Sequence, residues 1–234
     1  MNTDKMIKSH SPKVQLSKKL WKDEKLLKDV KIKLLEIADQ FINYLGIDID
    51  IKDITMTGSL ANYNYTPYSD IDLHIIVNYD ELTSKEDLAK EFFNAKKSFW
   101  NSKYDILIKG IEVELYSQDA SEEHASSGVY SLIEDKWLIK PKQFSNNIDK
   151  EYVKSKFNKI KKEINLVISD SLKEESVDNI NRLLKKIKKM REAGLKSKGE
   201  YSNENVIYKL IRVNGNLQKL FDNKTKILNK NLSL

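Results

Sequence analysis

The clearest helical pattern runs from Leu26 to Leu45. Its apolar positions Leu27, Val30, Leu34, Ile37, Phe41 and Leu45 step by three or four residues, and Gly46 follows as a stop. The pattern then changes period. Ile47, Ile49 and Ile51 alternate, and Ile54 and Met56 resume the alternation after a phase shift. This reads as one bulged strand that ends near Thr57, with Gly58 turning the chain and a short helix opening at Ser59. Asp70 to Asn78 forms a second strand. A helix capped by Thr83 or Ser84 follows, with Glu86 or Asp87 as its capping acid and Leu88, Phe92, Ala95 and Phe99 as its buried stripe. Ile106–Ile108 and Ile111–Ser117 read as two strands around Gly110, and Val129–Ile133 and Trp137–Ile139 as further short strands.

Past Pro141 only helical periods remain. Val153, Phe157, Ile160, Ile164 and Val167 mark one helix. Ile180, Leu183, Ile187 and Met190 mark a second, closed near Gly194. Val206, Leu210, Val213, Leu217 and Leu220 mark a third, capped by Ser202. The expected organisation is a polar N-terminal segment over residues 1–23, frayed through residue 16, an α/β (α+β) catalytic domain over 24–140, and a basic α-helical domain over 141–234. The first domain is expected to hold a short mixed sheet flanked by helices, and the second a helical bundle.

Charge sharpens this division. The chain of 234 residues carries a net charge of +6. Residues 1–140 hold 19 basic and 24 acidic groups, and residues 141–234 hold 22 basic and 11 acidic groups. The second part therefore suits an anionic partner, with RNA or DNA a candidate acceptor, and a lysine-solvated helical surface is the alternative reading. With three arginines, its field is mostly lysine, which attracts phosphate as a point charge. Lys185, Lys186, Lys188, Lys189 and Arg191 crowd one helix, and Lys209 and Arg212 lie three apart on another, within reach of a triphosphate or an acceptor's phosphates. The absence of cysteine excludes disulfides, thiolate metal sites and cysteine nucleophiles. No apolar run is long enough to span a bilayer and no signal peptide opens the chain, so a cytoplasmic protein with no membrane partner is expected.

The candidate chemistry lies in Met56–Val77, MTGSLANYNYTPYSDIDLHIIV. Glycine lets backbone approach a phosphate closely, the following helix start offers free N–H groups, and the Ser59 hydroxyl can bond a phosphate oxygen. Asp70 and Asp72 lie two apart on a strand, so their carboxylates share one face. Side by side they suit Mg²⁺, or Mn²⁺ in its place, which takes oxygen ligands and leaves positions for phosphates. Glu112 and Glu114, again on one strand face, are candidates for a third acid. His74 shares the face of Asp70 and Asp72 and reads as a hydrogen-bonded structural histidine. Tyr63, Tyr65 and Tyr68 crowd the intervening loop, either to stack on a base or to pack the loop. Ser126 and Ser127 beside His124 lack the setting of a serine hydrolase.

The glycine-serine turn, the Ser69-Asp70-Ile71-Asp72 strand start and the later Val113-Glu114-Leu115-Tyr116 strand resemble the DNA polymerase β-like nucleotidyltransferase superfamily over about residues 50–117. The whole chain also resembles a group of phage-encoded predicted nucleotidyltransferases in GSLANYNYTPYSDIDLH, EVELYSQD, SSGVYSLIEDKW, GEYSNENVIYKLIRVNGNLQKL and the terminal LSL. The resemblance implies a nucleotidyltransferase. Gly58 and Ser59, with Ser69, would hold the triphosphate, Asp70 and Asp72 would bind two metal ions, and the third acid would act on the acceptor hydroxyl. Glu114 is preferred to Glu112 for that role, although the superfamily more often has aspartate there. The implied reaction moves an NMP from an NTP, ATP by abundance, to a nucleic acid, protein or small-molecule hydroxyl. If the chain is phage-encoded, the reaction belongs in the bacterial host's cytoplasm. The alternative is a non-catalytic nucleotide- or RNA-binding module of the same fold, acting as an inhibitor or antitoxin-like partner. The oligomeric state is left open.

Overall fold

The computed structural model describes residues 3–124, 126–143, 148–174 and 176–234. In chain order the elements are α1 (Thr3–Ser9), β1 (Trp21–Lys22), β2 (Lys25–Leu26), α2 (Lys28–Leu45), β3 (Ile51–Thr57), β4 (Ile71–Val77), α3 (Glu86–Lys103), β5 (Leu107–Ile108), β6 (Ile111–Asp119), β7 (Val129–Ser131), β8 (Lys136–Ile139), α4 (Lys150–Glu174), α5 (Asp178–Lys198), α6 (Asn203–Val213) and α7 (Asn216–Leu232). They form two compact units. One spans residues 12–144, and the other joins residues 1–11 to 145–234.

The first unit is built on a six-stranded mixed sheet in the order β5-β6-β4-β3-β7-β8. β4 and β6 pair in parallel, and the other neighbours are antiparallel. The phase shift read in the β3 sequence is a register shift between Ile51 and Asp53. One face of β4 and β6 presents Ile71, Leu73, Ile75, Val77, Val113 and Leu115, all buried in a core with Val30, Leu34 and Phe41 of α2. Alternation then places the polar members of both strands on the opposite face. α2 ends as its sequence predicts, with Gly46 left-handed at φ 69°.

α3 departs from expectation in its phase. It buries Ala89, Phe93 and Trp100, while Leu88 and Phe99 are more than half exposed. Two overlapping apolar stripes run along this helix. The one that wins inserts the indole of Trp100 edge-on against Phe41, at 5.5 Å between ring centroids, and stacks Phe93 on Tyr79 at 4.7 Å. Its N-cap is Lys85 with no side-chain cap. Thr83 instead accepts from the Lys85 N–H at 3.3 Å.

The second unit packs α4, α5, α6 and α7 around Phe157, Ile164, Ile180, Ile187, Leu210 and Leu220. Residues 1–23, expected as one polar segment outside both domains, divide between the units. Met6 and Ile7 of α1 are buried in the helical core, where each side chain contributes roughly 1.5–3 kcal/mol. That burial holds a seven-residue helix that would not persist alone. Trp21 stacks on Trp137 in the sheet unit, at 4.7 Å between ring centroids. Gly194 lies inside α5 rather than at its end, and the helix runs on to Lys198. The stretch expected as one last helix is two, broken at Asn214 and Gly215, with Gly215 left-handed. Ser202 caps the first of them, its hydroxyl accepting from the Asn205 N–H at 3.3 Å. No helix among the described residues is long and apolar enough to cross a membrane.

Candidate active site

The polar face of the sheet gathers the acids. Parallel pairing sets Asp72 of β4 directly beside Glu114 of β6, and Asp70 precedes Asp72 by one strand period. One oxygen from each of Asp70, Asp72 and Glu114 lies within 4.8 Å of the others, and all three residues are half-buried. Three carboxylates at that spacing offer a divalent cation an all-oxygen donor set. The set fits Mg²⁺ or Mn²⁺, and among the described residues no other cluster of metal-ligating side chains has this geometry.

Glu112 is exposed and sits opposite Leu107 of β5, outside the cluster. Partial burial pushes its carboxyl up from the ordinary value, and the charges of Glu114, Asp105 and Asp70 add to that. Among the two glutamates, the geometry therefore brings Glu114 to the aspartates.

Gly58 stands where β3 ends, beside Asp72 on the neighbouring strand. Its φ is 74°, and a Cβ added there would lie 1.7 Å from Asp72 Oδ2. Glycine is thus demanded twice, by the left-handed turn and by the carboxylate packed on it. The helix expected at Ser59 is a single 3₁₀ turn, Ser59–Ala61, too short to sum a useful dipole. The Ser59 hydroxyl donates to Ser69 Oγ at 2.7 Å, and the Thr66 N–H donates to the same Ser69 oxygen at 2.9 Å. The two serines expected at the triphosphate therefore sit together, ten residues apart in sequence.

Supports from distant segments hold this turn. The Trp21 indole donates to the Leu60 carbonyl at 2.7 Å. Ser126 Oγ accepts the Gly58 N–H at 3.3 Å and itself donates to the Gly128 carbonyl at 3.0 Å. Asn62 donates to Ser127 Oγ at 2.5 Å. No period or motif in the sequence joins residues 126–128 to residue 58, so these partners are visible only in three dimensions. Tyr63 and Tyr65 pack the loop. The Tyr63 carbonyl accepts the Lys13 N–H at 2.7 Å, and the Tyr65 hydroxyl donates to the Gln15 carbonyl at 3.2 Å. Tyr68 is exposed.

Along the same face, Tyr116 pairs with His74 across the strands and donates its hydroxyl to Glu114 Oε2 at 2.5 Å. Burial and that bond push the phenol well above the ordinary tyrosine range. His74 Nδ1 lies 2.9 Å from Gln118 Oε1, and burial pushes the imidazole down to about 4, so the ring is neutral at physiological pH. Lys209 and Arg212 belong to α6 in the helical unit, where Lys209 is half-buried and Arg212 exposed.

The family model of the nucleotidyltransferase domain matches residues 32–196, from α2 through nearly all of α5. One solved structure, the STING-associated CdnE c-di-GMP synthase from Capnocytophaga granulosa, is similar at 13% sequence identity, covering 88% of this chain and 83% of that one. Its TM-score of 0.24 is too low for the likeness to bear on architecture or substrate. No curated protein matches the chain. Matched over more than two thirds of its length, the chain belongs to the nucleotidyltransferase domain family.

Proposed function

We propose that this nucleotidyltransferase moves an NMP from an NTP to a hydroxyl acceptor and releases pyrophosphate, with a divalent cation held by Asp70, Asp72 and Glu114. The convergence of these three carboxylates within 4.8 Å, beside a turn where only glycine fits, carries the reading. When bound, Mg²⁺ or Mn²⁺ supplies positive charge to the phosphates and to the attacking and leaving oxygens. The chain's own part is positioning. Ser59 and Ser69, already bonded to each other, present hydroxyls to the triphosphate beside Gly58. Glu114 orients the acceptor hydroxyl and takes its proton as the new oxygen–phosphorus bond forms. The bond from the α-phosphorus to the bridging oxygen breaks, and pyrophosphate leaves.

In this reading residues 24–140 carry the chemistry and residues 141–234 receive the acceptor. A nucleic acid fits the basic part best, with Lys209 and Arg212 offering charge to its phosphates. ATP is the first nucleotide to test, and the cytoplasm of a bacterial host is the setting the phage-type resemblance suggests.

The decisive experiment incubates the protein with each α-labelled NTP, Mg²⁺ and host extract, alongside the Asp70→Asn, Asp72→Asn double variant. Label transfer with pyrophosphate release, lost by roughly a thousandfold or more in a folded double variant, is the expected result. Undiminished turnover in that variant, or nucleotide binding with no transfer in the wild type, defeats the proposal.

A further inference from the structure

We propose that Tyr116 is the positioning residue of the third acid: its hydroxyl holds one oxygen of Glu114 and leaves the other turned toward Asp70 and Asp72. The inference rests on the reading of the acid cluster as a cation site and deepens it. A glutamate carries one more rotatable bond than an aspartate, and its terminal torsion is broad. A glutamate that must share an ion with two carboxylates needs that freedom removed, or ordering it weakens the site each time an ion binds.

Tyr116 is placed to remove it. It stands two residues on from Glu114, on the same strand face, and donates to Oε2 at 2.5 Å. Its ring is itself held. His74 of β4 stacks on it with centroids 4.9 Å apart and ring planes 27° from parallel. The Lys97 ammonium of α3 lies 4.7 Å from the ring centroid. His74 is anchored in turn by Gln118 at 2.9 Å. One turn beyond Lys97, Asn101 donates to the Leu115 carbonyl at 2.9 Å and accepts the Leu115 N–H at 3.1 Å, which pins α3 to the strand between Glu114 and Tyr116. Each of these partners narrows the positions open to the hydroxyl, so the Glu114 oxygen is held before any ion arrives. Loss of an outer partner of this kind costs roughly ten- to a hundredfold in metal affinity.

The test is Tyr116→Phe, which deletes one hydroxyl and keeps the ring that stacks on His74. Mn²⁺ binding is measured by calorimetry on the full chain, alongside kcat, KM for the NTP, and the urea midpoint. The expected result is Mn²⁺ affinity weakened about tenfold, kcat lowered by a similar factor, KM unchanged, and the urea midpoint lowered only slightly, as for any single lost hydrogen bond. Wild-type affinity in the variant overturns the inference, as does a lowered urea midpoint with Mn²⁺ affinity intact, since that is a structural role alone. A wild-type chain that binds no Mn²⁺ overturns the cation reading itself, and this inference with it.

Discussion

In the sheet unit three carboxylates from two strands converge within 4.8 Å. In the helical unit the cations crowded along one stretch of sequence go separate ways. Lys186 pairs with Glu163 at 2.6 Å, Arg191 lies over the Tyr208 ring at 4.4 Å and donates to Asn205 at 3.3 Å, and Lys185 and Lys189 are exposed. The difference is geometric. Strand alternation returns every second residue to one face, and parallel register then sets two such rows side by side. A helix turns about 100° per residue, so neighbours in sequence fan around the axis. Here the strands gather like charges into one cluster, whereas α5 spreads its cations over several faces, with Lys185 and Lys189 sharing one of them. A gathered cluster calls for a compact counter-ion, and a scattered one gives a diffuse field suited to a long polyanion.

The sharpest way to break the gathered site without touching a carboxylate is Gly58→Ala. Its Cβ would meet Asp72 Oδ2 at 1.7 Å, at φ 74° and ψ −161°, a backbone region essentially confined to glycine that costs other residues roughly 1–3 kcal/mol. Asp72 must swing away from Asp70 and Glu114. Activity should fall on the order of a hundredfold or more, with stability lowered by about 1–2 kcal/mol in urea denaturation. Activity close to wild type would show that the turn and the acids are not coupled.

The second unit has its own glycine, and changing it separates the two. Gly194 is buried within α5, and a Cβ there would lie 2.6 Å from the Glu204 Cβ and 2.7 Å from the Ser202 hydroxyl that caps α6. Gly194→Ala should destabilise the helical unit by roughly 1–3 kcal/mol through overpacking and a displaced cap. Mn²⁺ affinity at the acid cluster should be unchanged. Urea denaturation and calorimetry on the one variant check both halves of that expectation.

These two glycines also mark how far the sequence can be read. Gly58 is legible because a strand ends on it and acids follow at a short interval, so local pattern and chemistry agree. Its clash with Asp72 is not legible, since register is a tertiary fact. Gly194 reads as a helix stop because glycine after an apolar period has that meaning by default. Only the approach of Ser202 and Glu204 from the next helix explains it as a mid-helix residue. The α3 phase fails for a related reason, because two apolar stripes compete and the sheet core selects Ala89, Phe93 and Trp100. Alternation within single strands puts Asp70 with Asp72 and Glu112 with Glu114; the choice of Glu114 over Glu112 follows from the family resemblance, and the strand register that separates them is tertiary. Ser126 and Trp21 hold the turn through pairings that no local period encodes, and Tyr116, though alternation puts it on the face of Glu114, carries no motif that marks it.

A smaller effect probes the packing behind the sheet. The Tyr79 hydroxyl donates to the Ser117 carbonyl at 3.1 Å, and burial, with the charges of Glu122 and Asp119, pushes it up to about 12. A folded pKa above the unfolded value near 10 means stability is fully present below pH 10 and is lost as pH rises toward 12. Tyr79→Phe should cost about 1 kcal/mol at neutral pH, from the lost hydrogen bond, and should flatten the alkaline decline. Urea midpoints of both proteins across that range should therefore approach each other. A constant gap would place the alkaline loss elsewhere.

The smallest expected effect on stability falls on the scattered cations, and there it is the contrast that informs. Lys185→Gln with Lys189→Gln changes two exposed side chains on α5 and leaves the Lys186–Glu163 pair and the Arg191–Tyr208 stack in place. Stability should move by no more than about 0.5 kcal/mol. Transfer to a small hydroxyl compound should also be unchanged, because the acids are untouched. If the acceptor is a nucleic acid, its binding should weaken evenly across sequences, and the slope of log affinity against log salt should fall by about one for each phosphate the variant no longer neutralises. Equal slopes for wild type and variant would remove these two lysines from the acceptor surface.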